Sequence, residues 1–482
     1  KLTCGLPYRG FESPTFRKHY SKLHRWSIHL MVRIQDSLSW HKGSILLSTT
    51  FPPFYRIFAS MKKILTLHIL LALAALPSRA QRHEIYSQRI ATLQVVAGTD
   101  WQALPITLLN GQPIHIDFDD MTHDYHRYTY RIEHCDADWK VSQGLFETDY
   151  LKGWNHEQAI DNIEQSLNTN HLYTHYRLTI PNENFHITMS GNYKLTIYDD
   201  TAETNNQEDE TTDKDGRKIL TACFMVVEPQ VQIAIGYSSN TDIDINKQHQ
   251  QVSMNVNYGS LRVTNPSQQI KTVVLQNGRW NQAVWNAKPD YISADGLQWQ
   301  HNRHLIFDAG NEYRKFELLD MDHPTMGIDE TEWDGEEYQI YVMPDTPRPN
   351  YVHDESAKGS FYVRNSDNED NNFTCEYAPV HFRLQTNRQP GDVYLNADWT
   401  YDRFLPTYRM EYNEADHSYH ATVLLKQGYY SYQYLVLKSD GSTQPVSTEG
   451  NFFQTTNRYD ALIYYRGTGD RTDRLVGWKS SQ

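Results

Sequence analysis

Apolar residues along most of this chain recur at every second position. Ile114, Ile116 and Phe118 alternate with His115, Asp117 and Asp119. Tyr193, Leu195 and Ile197 alternate with Lys194, Thr196 and Tyr198. The same period runs through Val252, Met254, Val256 and Tyr258, and through Val380, Phe382 and Leu384. It returns in Tyr430, Tyr432, Tyr434 and Val436. Successive side chains of a strand point to opposite faces, so each segment buries one side and wets the other. Half-buried strands imply antiparallel sheets. Turn clusters separate them at Asn110-Gly111, Ser190-Gly191-Asn192, Asn277-Gly278 and Asp440-Gly441, residues that tolerate positive φ. One helix is predicted over 157–167, where Ile160, Ile163 and Leu167 share a helical face. The fold class that follows is all-β, as tandem immunoglobulin-like or early-set β-sandwiches.

Composition places the boundaries. Glu228-Pro229 ends a strand and marks a linker. The polar run Asn365–Asn372 cannot pack and reads as a connector. The expected domains are therefore 81–228, 229–372 and 373–482. Within the first, 203–215 holds six acids and one Lys and reads as a solvated hairpin tip. Glu208, Asp209, Glu210 and Asp213 in that tip are candidate partner contacts.

Charge divides the chain more sharply than its average suggests. The whole carries 45 Lys+Arg against 59 Asp+Glu, a net of -14. Residues 1–80 hold 12 basic and 2 acidic residues, leaving 33 against 57 for the remainder. Met61-Lys62-Lys63, the apolar stretch Ile64–Leu76 and Ser78-Arg79-Ala80 have the order of a secretory signal peptide over 61–80. Residues 1–60 are then expected to be translated upstream sequence, and the exported part to begin at Gln81. The apolar stretch is too short to span a bilayer, so no transmembrane anchor is expected. An acidic exported chain is a poor nucleic-acid binder, which needs a positive field. Four cysteines are too few for a disulfide scaffold. Cys135 with Cys223 is the internal pair to consider, against buried thiols as the alternative.

Candidate chemistry is sparse. The string HCDADWK at 134–140 offers His, Cys and two Asp for a metal or a proton transfer. As a strand, it would set His134, Asp136 and Asp138 on a polar outer face and Cys135, Ala137 and Trp139 on a core face. His171 and His175 stand about 13 Å apart when extended, too far to share one zinc. Asp117, Asp119, Asp120, His123 and Asp124 form an acidic group without EF-hand spacing. The sequence holds no nucleophile elbow, P-loop, dinucleotide fingerprint or HExxH motif. No catalytic residue, metal site or cofactor is assigned. Trp399, Tyr429 and Tyr432 read either as a sugar-stacking platform or as sandwich core with cross-strand pairs.

Several longer strings resemble a known family. HCDADW at 134–139, Asp149-Tyr150-Leu151, Ser166-Leu167-Asn168-Thr169, Pro181-Asn182-Glu183 and SGNYKLTIY at 190–198 resemble the first domain of type IX secretion system plug proteins of Bacteroidetes. TEGNFFQTTNRYDALIYYR at 448–466 and Asp473-Arg474-Leu475-Val476-Gly477 resemble the same family's end. The resemblance implies a periplasmic, non-enzymatic protein of immunoglobulin-like domains, expected to be a monomer. Its implied partner is the giant outer-membrane translocon barrel of the SprA/Sov type, whose periplasmic opening it would close. Val393–Trp399 and Gln427–Leu437 also resemble the early-set sandwiches of glycogen-binding modules. The alternative function is accordingly a periplasmic or surface carbohydrate-binding protein.

Overall fold

A computed structural model describes residues 83–153, 158–200 and 217–481 of the chain, which lie in the unit Pro77–Gln482. The fold is all-β. Helices among the described residues are single turns of three or four residues. The expected signal peptide, the upstream stretch and the acidic tip with Glu208, Asp209, Glu210 and Asp213 lie outside the described residues.

The first sandwich faces two sheets. One runs Glu84–Ile85, Arg217–Val227, Gly191–Asp199, Tyr128–Cys135 and Gln158–Ala159; the other runs Ile90–Ala97, Ile114–Asp120, Thr174–Ile180 and Asn162–Gln165. Ile114, Ile116 and Phe118 meet Tyr193, Leu195 and Ile197 in a single buried cluster. Both triplets came from the two-residue period, which fixes which face turns inward. The predicted helix over 157–167 is not formed. Gln158–Ala159 and Asn162–Gln165 add as edge strands to opposite sheets. Ile160 is buried between them while Leu167 is exposed, so the three residues share no face. Cooperative helix formation needs more length than this polar segment provides.

The second sandwich pairs Gln232–Ser238, His249–Asn257 and Gly296–Trp299 in one sheet. Its other sheet runs Val284–Trp285, Ile270–Gln276, Tyr459–Tyr465 and Arg474–Ser480. The third sandwich is inserted between its strands. There Gly428–Leu437 is flanked by Arg314–Leu318 on one side and by Phe361–Val363 and Asp392–Asn396 on the other. The facing sheet runs Ile328–Trp333, Tyr338–Val342, Tyr377–Gln385, Ser418–Lys426 and Glu411–Asn413.

The strand pairings therefore depart from the expected boundary at 372. Arg314–Leu318 and Phe361–Val363 lie before it yet pair with Gly428–Leu437. Tyr459–Tyr465 lies after it yet pairs with Ile270–Gln276. The polar run at 365–372 is a surface loop inside the third sandwich. A loop there satisfies its own backbone: Asn365 Oδ1 accepts from the Asn368 N–H at 2.8 Å.

Trp399 and Tyr432, two of the three residues read either as a platform or as sandwich core, are core. They are 4% and 1% exposed and pack with Phe316, Phe382 and Tyr430. Tyr429 lies on the opposite face of its strand from Tyr430 and Tyr432, because strand parity separates odd from even positions. The three rings cannot form one platform.

Candidate functional site at the seams between sandwiches

The HCDADW string does not continue as a strand beyond Cys135. A tight turn follows, in which the Asp136 N–H donates to Lys140 O at 2.8 Å and the Trp139 N–H to Asp136 O at 2.9 Å. The expected polar outer face is not formed. His134 is buried in the first sandwich, its ring edge-on to Tyr193 at 5.1 Å, with Nδ1 2.9 Å from Ser142 Oγ. Gly191, with φ of 152°, makes room for it: a Cβ there would stand 2.2 Å from His134 Nε2. Burial lowers the His134 pKa, so the imidazole is held neutral.

The turn swings Trp139 outward, into a φ of 63° that a bulky residue adopts only when packing holds it. The packing comes from the second sandwich. Trp139 meets Trp280 edge to face at 5.5 Å. Around them, Ile106, Ala137, Cys223, Met225 and Val227 close against Val273, Leu275, Leu462, Tyr464 and Leu475 as one dry cluster. Cys223 is on the Arg217–Val227 strand and Cys135 on Tyr128–Cys135, with Gly191–Asp199 running between, so of the two readings the disulfide is not formed and both thiols are buried.

A polar clasp closes this apolar seam. Asp136 Oδ1 accepts from Thr472 Oγ1 at 2.7 Å, Arg466 Nη2 at 2.6 Å and the Asp473 N–H at 3.1 Å. In return, the Ala137 N–H donates to Asp473 Oδ2 at 3.0 Å, where Lys271 Nζ also lies at 2.7 Å. Burial alone would raise the Asp136 carboxyl, but the Thr472, Asp473 and Arg466 donors hold it below the ordinary carboxylate range. The two stretches that carry the family resemblance at opposite ends of the chain thus bond to each other. They join the first sandwich to the second.

The first and third sandwiches meet differently. Asp119 and Lys426 are each 1% exposed and pair at 2.6 Å. Tyr377 OH donates to the same Asp119 oxygen at 2.5 Å, and His175 Nδ1 stands 2.7 Å from the other. His175 Nε2 reaches Asp117 at 3.2 Å, and Asp117 pairs with Arg177 at 2.6 Å. Lys426 Nζ also donates to Asn372 O at 2.7 Å and sits 4.0 Å above the Tyr173 ring. Burial opposes charge on Asp119, yet Lys426 and His175 lower its pKa. Burial likewise opposes charge on His175, yet Asp117 and Asp119 raise its pKa. Asp117 and Asp119 of the acidic group read in the sequence therefore belong to an ion-pair network with its cations supplied, and Asp120 lies 3.6 Å from Arg89. His171 and His175 turn to separate partners, Glu337 and the two aspartates.

All three sandwiches converge on a small cavity of ≈ 100 Å³. Leu93 and Leu104 line it from the first, Gly278 and Trp280 from the second, and Asp398 and Tyr401 from the third. Burial raises the Asp398 carboxyl to about 6, against a hydrogen bond from Ser360 Oγ at 2.7 Å. Among the described residues, no group of three or more His, Cys, Asp or Glu is placed to hold a metal ion. No helix among them is long and apolar enough to cross a membrane.

Residues 90–228 match the family model for the type 9 secretion system plug protein 1st domain. A solved structure of a hypothetical protein from Parabacteroides merdae ATCC 43184 is similar along nearly its whole length. It shares 36% identity and a TM-score of 0.77, over 83% of this chain and 99% of that one. This chain belongs to the type IX secretion system plug family. The comparison with curated proteins gives no match. Membership ties the chain to type IX secretion. The plug first domain holds one half of each seam: Asp136 and Trp139 toward the second sandwich, Asp119 and His175 toward the third. Sequence reasoning did not single out Lys426, and it named Asp473 only within a family string, pairing neither with its distant partner. Beyond that string, the signal was that a Lys ends an apolar strand and an Asp directly precedes one.

Proposed function

We propose that the chain is a non-enzymatic plug that occludes the giant outer-membrane translocon barrel of the type IX secretion system, of the SprA/Sov type, from the periplasmic side. The observation that carries this reading is a plug-family first domain joined to two further sandwiches by a dry seam and a buried ionic seam. An object that blocks an opening must keep its shape under load, and both seams oppose hinging. The export signal expected at 61–80 accounts for a periplasmic location, and the mature chain would start at Gln81. The chain works by surface complementarity and has no reaction to perform. The net charge of -24 on residues 81–482, 33 basic against 57 acidic, favours a basic rim on the barrel and makes docking sensitive to salt. The acidic tip at 203–215 is proposed as a contact element within that field.

Affinity purification of the tagged full chain from detergent-solubilised outer membranes should recover the large barrel. Deletion should raise outer-membrane permeability to large antibiotics in cells whose barrel is not engaged in export. Failure to recover the barrel together with unchanged permeability would refute the reading. The carbohydrate alternative has lost its expected platform, since Trp399 and Tyr432 are core residues.

A further inference from the structure

Tyr429, the third residue of that platform, belongs to an aromatic group at the surface with two residues from elsewhere, Tyr362 and Trp101. Glu317, Tyr429 and Tyr362 are direct cross-strand partners on three adjacent strands of the third sandwich, so their side chains form a row across its outer face. Trp101, from a loop of the first sandwich, closes the end of this row. Its ring stacks on Tyr362 at 5.4 Å with 26° between planes and meets Tyr429 edge-on at 5.8 Å. The loop is held in place. Asp100 Oδ1 caps the N–H groups of Gln102 and Ala103, and Gln102 O accepts from Arg458 of the second sandwich.

The groove these residues line has a volume of ≈ 540 Å³, within the range of about 300–1,000 Å³ for small-ligand clefts. Ser356 lines it too. It is 8% exposed, and its hydroxyl has no hydrogen-bond partner among the described residues. A buried hydroxyl left without a partner costs free energy that a bound polar ligand would return. Most rim charges are matched: Arg364 pairs with Glu317 at 2.6 Å and Lys315 with Asp354 at 2.6 Å. The charge outside these pairs is the single carboxylate of Glu355, which disfavours an anionic ligand.

From these observations we infer that the groove binds a neutral oligosaccharide. A pyranose ring has an apolar C–H face that lies on aromatic rings and a hydroxyl rim that meets Ser356, Glu317 and Arg364. Tyr362 and Tyr429 offer the aromatic surface, and Trp101 bounds it. An extended peptide is the poorer fit. Strand addition needs an open strand edge, whereas this row lies across a sheet face.

Isothermal calorimetry of the full chain against neutral oligosaccharides of glucose, mannose and xylose tests the inference, with a proline-rich peptide as competitor. The expected result is saturable binding of at least one saccharide. Tyr362→Ala should weaken it by about tenfold, the order of one lost stacking contact. Tyr362→Phe should retain it, and Trp333→Ala, an exposed aromatic on another sheet, should leave it unchanged. A thermal melt of each variant matching the parent excludes misfolding as the cause. Absence of binding to every saccharide, binding insensitive to Tyr362→Ala, or binding only of the peptide overturns the inference. Barrel capture is independent of all three results, so a failure here leaves the plug reading standing.

Discussion

The two seams that the first sandwich makes solve one problem with opposite chemistry. Toward the second sandwich it presents Trp139, Met225 and Val227 to Trp280 and Leu475, and the polar clasp of Asp136 and Asp473 closes over that contact. Toward the third, a carboxylate and an ammonium are themselves buried, with tyrosine and histidine filling their remaining bonding positions. The dry seam draws its strength from apolar area removed from water. The ionic seam gains little net energy, because desolvating Asp119 and Lys426 offsets much of their attraction. Losing one member is still severe. Two rigid joints can therefore differ greatly in how they fail.

The sharpest break is Lys426→Met. It leaves Asp119 buried without its main counter-charge and should cost about 3–5 kcal/mol by chemical denaturation. Adding Asp119→Asn to the same chain should recover a large part of that loss, and a double-mutant cycle measures how much. On the dry side, Trp139→Ala empties the centre of the cluster and should cost about 3 kcal/mol. Here no second substitution is expected to compensate, since the loss is volume rather than charge. Asp136→Asn weakens the clasp while sparing the apolar contact, at about 1–2 kcal/mol. Near-ultraviolet circular dichroism of the Trp139–Trp280 pair should change in Trp139→Ala and persist in Asp136→Asn.

pH gives the smallest and most selective contrast. Asp117 and Asp119 have lowered pKa values in the folded state, so their contribution is present above the unfolded carboxylate range and is lost as pH falls through the folded values. His175 is raised, so its contribution is full below about 6.5 and fades as pH climbs through its folded value. The ionic seam is firmest between those limits. The Lys426→Met and Asp119→Asn double variant should flatten the acid limb of a stability–pH curve, and Trp139→Ala should leave its slope unchanged. Asp398 runs the other way. Its folded pKa of about 6 stands above the usual value, so stability declines as pH rises from the unfolded range through 6. Asp398→Asn should remove that decline.

Period and punctuation carried the strands well. Ile114–Asp120, Gly191–Asp199, His249–Asn257, Tyr377–Gln385 and Gly428–Leu437 all lie where two-residue alternation and the neighbouring Gly or Asn put them. Alternation is a local property, so it reports a strand without reporting its partner. That is why the insertion of the third sandwich into the second was not legible: it exists only in the pairing of Ile270–Gln276 with Tyr459–Tyr465. Parity could have corrected the aromatic platform earlier, since Tyr429 and Tyr432 are an odd number of residues apart in one strand. The seams were half legible. Asp136 and Trp139 stood out as a string, but nothing near them announces Thr472, Asp473 or Trp280. His134 was misplaced because it shares the parity of Tyr128, Tyr130 and Ile132, whose face of the strand turns into the core, while Asp136 and Asp138 fall in the turn that follows Cys135.

The chain's route has a cost during its manufacture. Tyr459–Tyr465 occupies the middle of a sheet that opens at Ile270, and Arg474–Ser480 then forms its edge. Until those final segments emerge from whatever channel delivers the polypeptide, Ile270–Gln276 has an unpaired, sticky border exposed to every other nascent chain nearby. Maturation must wait for the last residues, and an escort that shields that border in the meantime would decide how much of the product survives.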